Sequence, residues 1–568
     1  MTAQVAGIAP DPTRTLVAVL TFALLLLVVP PLIFLLNGSL HTTTVTGGLG
    51  DFTFAYYRRL VGDRQFFGSL GNSLVFAVGS MAIALAFGGL VAWLVERTNA
   101  PFKSFAYLTA IISLGTPFVL YVIAWLFLFG RNGPLNDLVT TLGLPRFNVY
   151  SMPGMILVEG FLWSPLAFLL LSSVFQQANA DYEDAARMSG AGIFRTVMRV
   201  SMRLALPTFA AVALLIVVRS IEAFEVPALV GLPGKIQVLT TNIYLGMKEQ
   251  VPPDLGYASA FSVVLLLLAG GLIGLYGRIV RYASRYHTVT GRGFRARLFD
   301  LGSARFIGGF VILFNFLLLL LMPVLGLLWL ALMPFTQGVS RRGLGLMTLD
   351  NFRTVMHSTF YIDLVWQTLA MSGAAATCVM ALTVLAGWLA VRRRPGAWLL
   401  DQLATAPLIF PGIVLGVAMI QIYLTVPVAI YGTLWAFILA FTVRYLPYGM
   451  RYAASGIVQI HPELEEAAAI AGSPLRTALR RIVVPLATPA LLAGWLFIFL
   501  IAARDLSLAV ILASPRAQPV SVAMFDLWAN GQGTELAAFG LVWTAIMTAI
   551  ATAFYLIGRR ATVPAVRA

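Results

Sequence analysis

The side chains best able to do chemistry in this sequence stand where charge is least comfortable. Arg219, Glu222 and Glu225 in one half, and Arg504 and Asp505 in the other, stand at the deep or outer part of long apolar runs. An ionised group in hydrocarbon is costly, so such residues turn toward a cavity or a partner, or else snorkel to the outer interface. Arg219 and Glu222 are three residues apart, on one face of a helix, and can pair locally. Glu159 and Gln421 are two further polar residues inside apolar runs. What these residues offer is a polar lining for a path through a membrane, rather than the making and breaking of bonds.

The familiar reaction centres are absent from the sequence. No Gly-x-x-x-x-Gly-Lys-Ser/Thr occurs: the one near match, Gly234-Lys235, has Leu229 where the first glycine belongs and Ile236 where the hydroxyl belongs. The chain therefore has no phosphate cradle of its own and is expected to bind no cofactor. His41, His287, His357 and His461 are scattered without metal-ligand spacing, and Cys378 is the single cysteine, so no metal site and no internal disulfide is expected. No Ser/His/Asp set or paired carboxylates suggests a catalytic residue.

The elements that must hold these residues are membrane helices. Of 568 residues, 59% are hydrophobic and 11% charged, and the mean hydropathy is +0.88; a soluble globule is excluded. Runs of about 20 apolar residues are long enough to span a bilayer, and helices alone satisfy the backbone there. Twelve such runs are expected, at 16–36, 70–95, 105–130, 153–177, 208–230, 258–280, 306–333, 366–391, 403–425, 429–450, 488–512 and 535–558. The first run follows one arginine and lacks a convincing cleavage site, so it is read as an uncleaved helix.

The net charge of +15 is placed for a membrane rather than for nucleic acid. With the N-terminus inside, the cytoplasmic segments hold 24 of the 38 Lys and Arg against 11 outside, the bias that sets orientation. Both termini are then cytoplasmic, and anionic lipid is the partner of the charge.

Two halves emerge, 1–285 and 306–568, joined by a basic linker at 286–305. Asp181–Pro207 (DYEDAARMSGAGIFRTVMRVSMRLALP) and the segment 462–489 (PELEEAAAIAGSPLRTALRRIVVPLATP) are near copies: Asp184-Ala185-Ala186 falls on Glu466-Ala467-Ala468, Gly190 on Gly472 and Pro207 on Pro489, all at an offset of 282. Each reads as helix, turn, helix: acidic residues suit a helix N-terminus, alanines propagate it, and the glycine stops it. Elsewhere Ala92-Trp93-Leu94 matches Gly387-Trp388-Leu389, with Arg97 and Arg392 closing the two helices, at an offset of 295. Pro117 and Pro165 match Pro411 and Pro447, and are expected to kink helices. Six helices per half, running in the same direction, make a parallel repeat.

The paired loops resemble the EAA loop of ABC importer permeases, Glu-Ala-Ala, three residues, then Gly. The second copy fits through Ile482 and Pro485; the first departs at Asp184 and at Arg203. Three narrower runs, IEAFEVPALVGLPGKI from Ile221, YHTVTGRGFRARLFDLG from Tyr286 and ARDLSLAVIL from Ala503, resemble the fused permeases of ferric-iron ABC importers. The resemblance implies an all-α integral membrane protein of twelve helices, two parallel six-helix repeats of the importer permease fold, in a bacterial inner membrane. It implies two copies of a separate ATPase, which would carry ATP and Mg, and a periplasmic substrate-binding protein. It implies ATP-driven alternating access, with Glu183, Asp184, Ala185, Ala186, Gly190, Glu465, Glu466, Ala467, Ala468 and Gly472 as coupling residues. Ferric iron is the substrate this branch suggests; thiamine, polyamine and phosphonate permeases are close relatives. The rival class is a secondary transporter driven by an ion gradient, which needs no matched loops. A membrane-bound enzyme is a third reading, and lacks a catalytic cluster.

Overall fold

The computed structural model describes residues 12–43, 49–131, 133–177, 186, 188–190, 192–196, 199–200, 202–250, 252–283 and 298–562. The chain is a bundle of long apolar helices. In order they are α1 (Pro12–Leu40), α2 (Arg64–Arg97), α3 (Lys103–Gly115), α4 (Phe118–Leu128), α5 (Met152–Gln177), α6 (Met202–Glu222), α7 (Leu239–Lys248) and α8 (Leu255–Ala283). There follow α9 (Gly302–Leu332), α10 (Thr359–Val391), α11 (Ala397–Ile409) and α12 (Gly412–Thr425). The last are α13 (Leu434–Val458), α14 (Glu463–Ile470), α15 (Leu475–Ala503), α16 (Val520–Ala529) and α17 (Gly533–Thr562). A short antiparallel pair, β1 (His41–Thr43) and β2 (Leu49–Phe52), follows α1.

Among the described residues nine helices are long and apolar enough to cross a membrane, or eleven if each of two bent pairs is one span. The runs expected at 105–130 and 403–425 are those bent pairs: α3 and α4 meet at 112°, α11 and α12 at 106°. Proline disfavours helical backbone in the residue before it and brings no N–H to the ladder. Thr116 and Phe410 accordingly lie extended, at ψ 136° and 112°, ahead of Pro117 and Pro411. Pro165 and Pro447 instead sit inside continuous helices, α5 and α13. The expected run at 429–450 is α13; it carries Arg444 and Arg451 and is not among the nine.

Two expected runs end early. Instead of continuing to residues 230 and 512, α6 stops at Glu222 and α15 at Ala503. After each the chain turns back through a short buried segment, Pro227–Gly231 or Ala509–Leu512, before α7 or α16. The charged residues of the sequence lie at these stops, where a cation meets the negative end of the helix dipole.

The halves interlock through their first helices. α1 packs on α8 of its own half and on α11 and α12 of the other; α9 packs on α17 and crosses to α3 and α4. The largest apolar core lies between them, around Trp125, Phe224, Phe437, Phe441 and Phe539. The linker end is pinned: Phe299 N–H donates to the Arg97 carbonyl at 2.7 Å, and Asn99 N–H to the Phe299 carbonyl at 3.2 Å.

Candidate functional site: the paired loops and an intramembrane polar cluster

Beyond the end of α13 the chain makes the sharp entry Ile460–Pro462 and begins α14 with three carboxylates, Glu463, Glu465 and Glu466, in its first turn. Acidic residues there oppose the positive end of the dipole. The helix ends at Gly472, whose φ of +76° is left-handed, a conformation an L side chain adopts only at a cost of about 1–2 kcal/mol. Glu466, Ala467 and Gly472 are exposed and Ala468 is half-buried. Two residues before the glycine, Ile470 stands 88% exposed.

The first loop repeats this ending. Gly190 has φ +80°, and Met188, two residues before it, is 90% exposed. Ala186 is half-buried. Glu183, Asp184 and Ala185 lie outside the described residues, as do residues 284–297 of the linker. Among the described residues, and apart from each glycine's own chain neighbours, no atom lies within 4 Å of where a Cβ on Gly190 or Gly472 would stand. The positive φ therefore calls for glycine there, rather than crowding within the chain.

Glu465 behaves differently from its neighbours. Arg392 Nε and Nη2 donate to its Oε1 at 2.9 and 2.6 Å, and Trp388 Nε1 donates to its Oε2 at 2.9 Å. Arg392 Nη2 also donates to the Ile460 carbonyl at 2.9 Å. The arginine and glutamate side chains are 10% and 13% exposed. The sequence marks Trp388 and Arg392 only as repeat landmarks; that they close on Glu465 is decided by tertiary structure.

The second cluster is built where α6, α13 and α15 meet. Arg219 Nη1 pairs with Glu222 Oε2 at 3.3 Å, and its Nη2 donates to Tyr448 Oη, in the other half, at 3.0 Å. One turn away on α13, Arg444 Nε pairs with Asp505 Oδ2 at 2.8 Å, and Tyr445 Oη donates to the same oxygen at 2.5 Å. Asp505 Oδ1 accepts from Leu508 N–H at 3.0 Å. The rings of Tyr445 and Tyr448 are 6.2 Å apart, joining the two sets. Arg504 donates to the Leu114 carbonyl of the first half and lies over the Phe118 ring at 4.7 Å. That carbonyl belongs to the last turn of α3, where the bend at Pro117 leaves acceptors without helical partners.

The structure thus brings Arg219, Glu222, Arg504 and Asp505 to one region between the halves. Glu225 is nearby but bonded locally, to Phe224 N–H at 3.4 Å. Glu159 is buried and accepts from Trp163 Nε1 on its own helix at 2.8 Å. Gln421 instead donates to Ser259 Oγ, tying α12 to α8. Arg444, Tyr445 and Tyr448 complete the cluster and are missing from the sequence-based set. The available signal was one arginine and two tyrosines interrupting the apolar run of α13. Among the described residues, Glu222 Oε1 and Arg444 Nη1 are buried and have no hydrogen-bond partner, and no group of three or more His, Cys, Asp or Glu could hold a metal.

With this geometry, a comparison with known families is decisive for the first half. Residues 84–285 match the binding-protein-dependent transport system inner membrane component family. Over these residues the chain carries a binding-protein-dependent transport permease domain. The ferric transport system permease protein of Actinobacillus pleuropneumoniae is 26% identical over 510 residues, 87% of this chain and 71% of that one. The permease is thus related over most of its length to a ferric transport permease, and it is long enough for two such domains fused. A protein of Salmonella typhimurium named for 2-aminoethylphosphonate transport is 26% identical over 269 residues, 47% of this chain and 93% of that one. A crystal structure of a bacterial ABC transporter involved in alginate import covers 48% of the permease and 96% of its own chain, at 16% identity and TM-score 0.38. That likeness is too slight to carry an argument.

Proposed function

We propose that this permease is the whole membrane part of an ABC importer: both transmembrane domains in one chain, 1–285 and 306–568, six spans each. On this reading it takes substrate from a periplasmic binding protein and passes it inward as two copies of a separate ATPase, the holders of ATP and Mg, open and close beneath it. It sits in the inner membrane with both termini cytoplasmic, as its basic residues favour.

The observation that carries the proposal is the matched ending of the two loops. Each presents a nearly fully exposed apolar side chain, Met188 or Ile470, two residues before a left-handed glycine, Gly190 or Gly472. Burying one such side chain is worth roughly 1.5–3 kcal/mol, so a water-facing pair is a pair of sockets' worth of affinity awaiting a protein partner. An importer driven by an ion gradient has no use for two matched knobs. The polar cluster, at the junction of the halves, is the part of the path that must rearrange: Arg219, Glu222, Arg504 and Asp505 line it, with Glu159 and Glu225 around it and Gln421 apart, where α12 meets α8.

Ferric iron is the substrate this reading favours, because the relative named for ferric transport spans most of the chain. A phosphonate is the second reading, resting on the relative that matches 47% of the chain. The chain is expressed with candidate ABC ATPase and periplasmic binding-protein subunits, purified, and placed in liposomes. Co-purification of the ATPase and ATP-dependent uptake are the expected results. Uptake by the chain alone, driven by an ion gradient, refutes the importer; uptake of phosphonate but not ferric iron refutes the substrate.

A further inference from the structure

We infer that Glu465 is a positioning residue: it fastens the second coupling helix, α14, to the membrane-spanning helix α10, and so selects α10 as the element that a partner's motion pulls. The inference rests on the importer reading above and names the internal route of the coupling.

Three helix ends meet at Arg392. It follows the last residue of α10, Val391, in a turn where Arg392 N–H donates to the Trp388 carbonyl at 3.0 Å. Its guanidinium reaches the Ile460 carbonyl, just past the end of α13, and the Glu465 carboxylate, in the first turn of α14. A cation at one helix C-terminus and an anion at another helix N-terminus both complement the local dipoles. Both Glu465 oxygens are occupied, Oε1 by Arg392 and Oε2 by Trp388. Arg394 lies over the same indole at 5.8 Å. Trp388 is fully buried, so the clasp stands on a rigid floor.

Among the described residues, no other side-chain hydrogen bond or ion pair joins α14 to a membrane-spanning helix. Its backbone packs mainly against the start of α15, the segment that follows it in sequence. Glu463 and Glu466, on either side of Glu465, point to water. Neighbouring carboxylates therefore have different work: Glu466 is free for a partner, while Glu465 is committed to the chain's own Arg392. α10 in turn packs along α13 and α15 for much of its length and touches α1 of the other half. A pull on α14 through a charge-assisted, forked contact thus reaches the interface between the halves without passing through a loop. The same residue types recur in the first half, Trp93 and Arg97 at 295 residues earlier and Glu183 at 282 residues earlier.

The test uses the assembled complex of chain, ATPase and binding protein in liposomes, with Glu465→Gln, Arg392→Lys, Trp388→Phe and, for contrast, Glu466→Gln. Three quantities are read: association of the ATPase, its hydrolysis rate, and substrate moved per ATP. Glu465→Gln and Arg392→Lys are expected to leave association and hydrolysis near normal and to lower substrate moved per ATP by roughly 5- to 150-fold, the usual span of a coupling free energy. Trp388→Phe keeps the buried ring, drops one hydrogen bond and gives a smaller loss of the same kind, so the inference is tested even where Glu465→Gln fails to fold. Glu466→Gln changes association instead. Weakened association in Glu465→Gln with transport per ATP intact overturns the inference, as does a normal value of all three. If the unmutated chain captures no ATPase, the importer reading itself has failed, and that result is recognisable before any variant is made.

Discussion

Replacing Gly472 tests the coupling surface with little risk of wrecking the fold. The residue sits at φ +76°, and among the described residues beyond its chain neighbours a Cβ there meets no atom within 4 Å. The internal cost of Gly472→Asp is therefore conformational alone, about 1–2 kcal/mol and toward the lower end because Asp and Asn visit the left-handed region more readily than other residues. For a chain of this size such a cost moves the unfolding midpoint by a few degrees at most, about 2–4 °C per kcal/mol in well-studied domains of 150–250 residues. At an interface the same Cβ and carboxylate replace an open approach with bulk and an extra negative charge. We expect the variant to insert, purify and unfold within a few degrees of the parent, while losing ATPase association and all stimulated uptake. Gly472→Asn separates the two causes. If the added charge were the whole effect, Asn, which shares the tolerance of Asp for this φ, would restore transport; if bulk at a close approach of a partner matters, Asn fails like Asp. Normal uptake and ATPase binding by Gly472→Asp would refute the docking argument outright.

Three further outcomes follow from the geometry. Asp505→Asn leaves Arg444 largely buried beside a neutral amide, and breaking such a pair costs about 3–5 kcal/mol; purified protein should show a clearly lowered unfolding midpoint, and an unchanged one contradicts the pairing of Arg444 with Asp505 at 2.8 Å. Tyr448→Phe deletes one hydrogen bond to a charged group, worth about 1.5–3 kcal/mol, that crosses from one half to the other; the expected change is in transport rate, with ATPase association untouched, and reduced association would argue against a role in the path. The Asp300 carboxylate accepts from Asn99 Nδ2 at 2.6 Å and from Gly302 N–H at 2.9 Å, and these bonds hold its pKa below the ordinary aspartate value. A depressed carboxylate stabilises the fold above its unfolded pKa and loses that effect as pH falls through the folded one. Amide-exchange protection of Gly302, corrected for the intrinsic pH dependence of exchange, should thus hold from neutral pH down to the ordinary aspartate range and be lost only in stronger acid, with that acid step missing in Asp300→Asn; a loss near neutrality rules this linkage out.

The sequence alone settled the class of molecule. Composition and run length force membrane helices because an unpaired backbone is intolerable in lipid. The offset of 282 located both loops and their glycines, and the structure gives those glycines the positive φ that only their lack of a Cβ makes easy. The polar candidates at the ends of α6 and α15 were also legible, since a charge in an apolar run stands out by itself. Tertiary structure decided what such patterns do not encode. Prolines of equal appearance act differently: Pro117 and Pro411 break their runs, while Pro165 and Pro447 ride inside helices, because the surrounding packing determines whether a lost N–H is bridged or bent around. Hydrophobic runs overshot the ends of α6 and α15, since a buried return segment is as apolar as a span. Above all, partners were invisible. That Glu465 turns inward to Arg392 while Glu466 faces water, and that Arg444 meets Asp505 from another helix, depends on the rotation of whole helices about their axes, and adjacent letters in a sequence carry no record of that rotation.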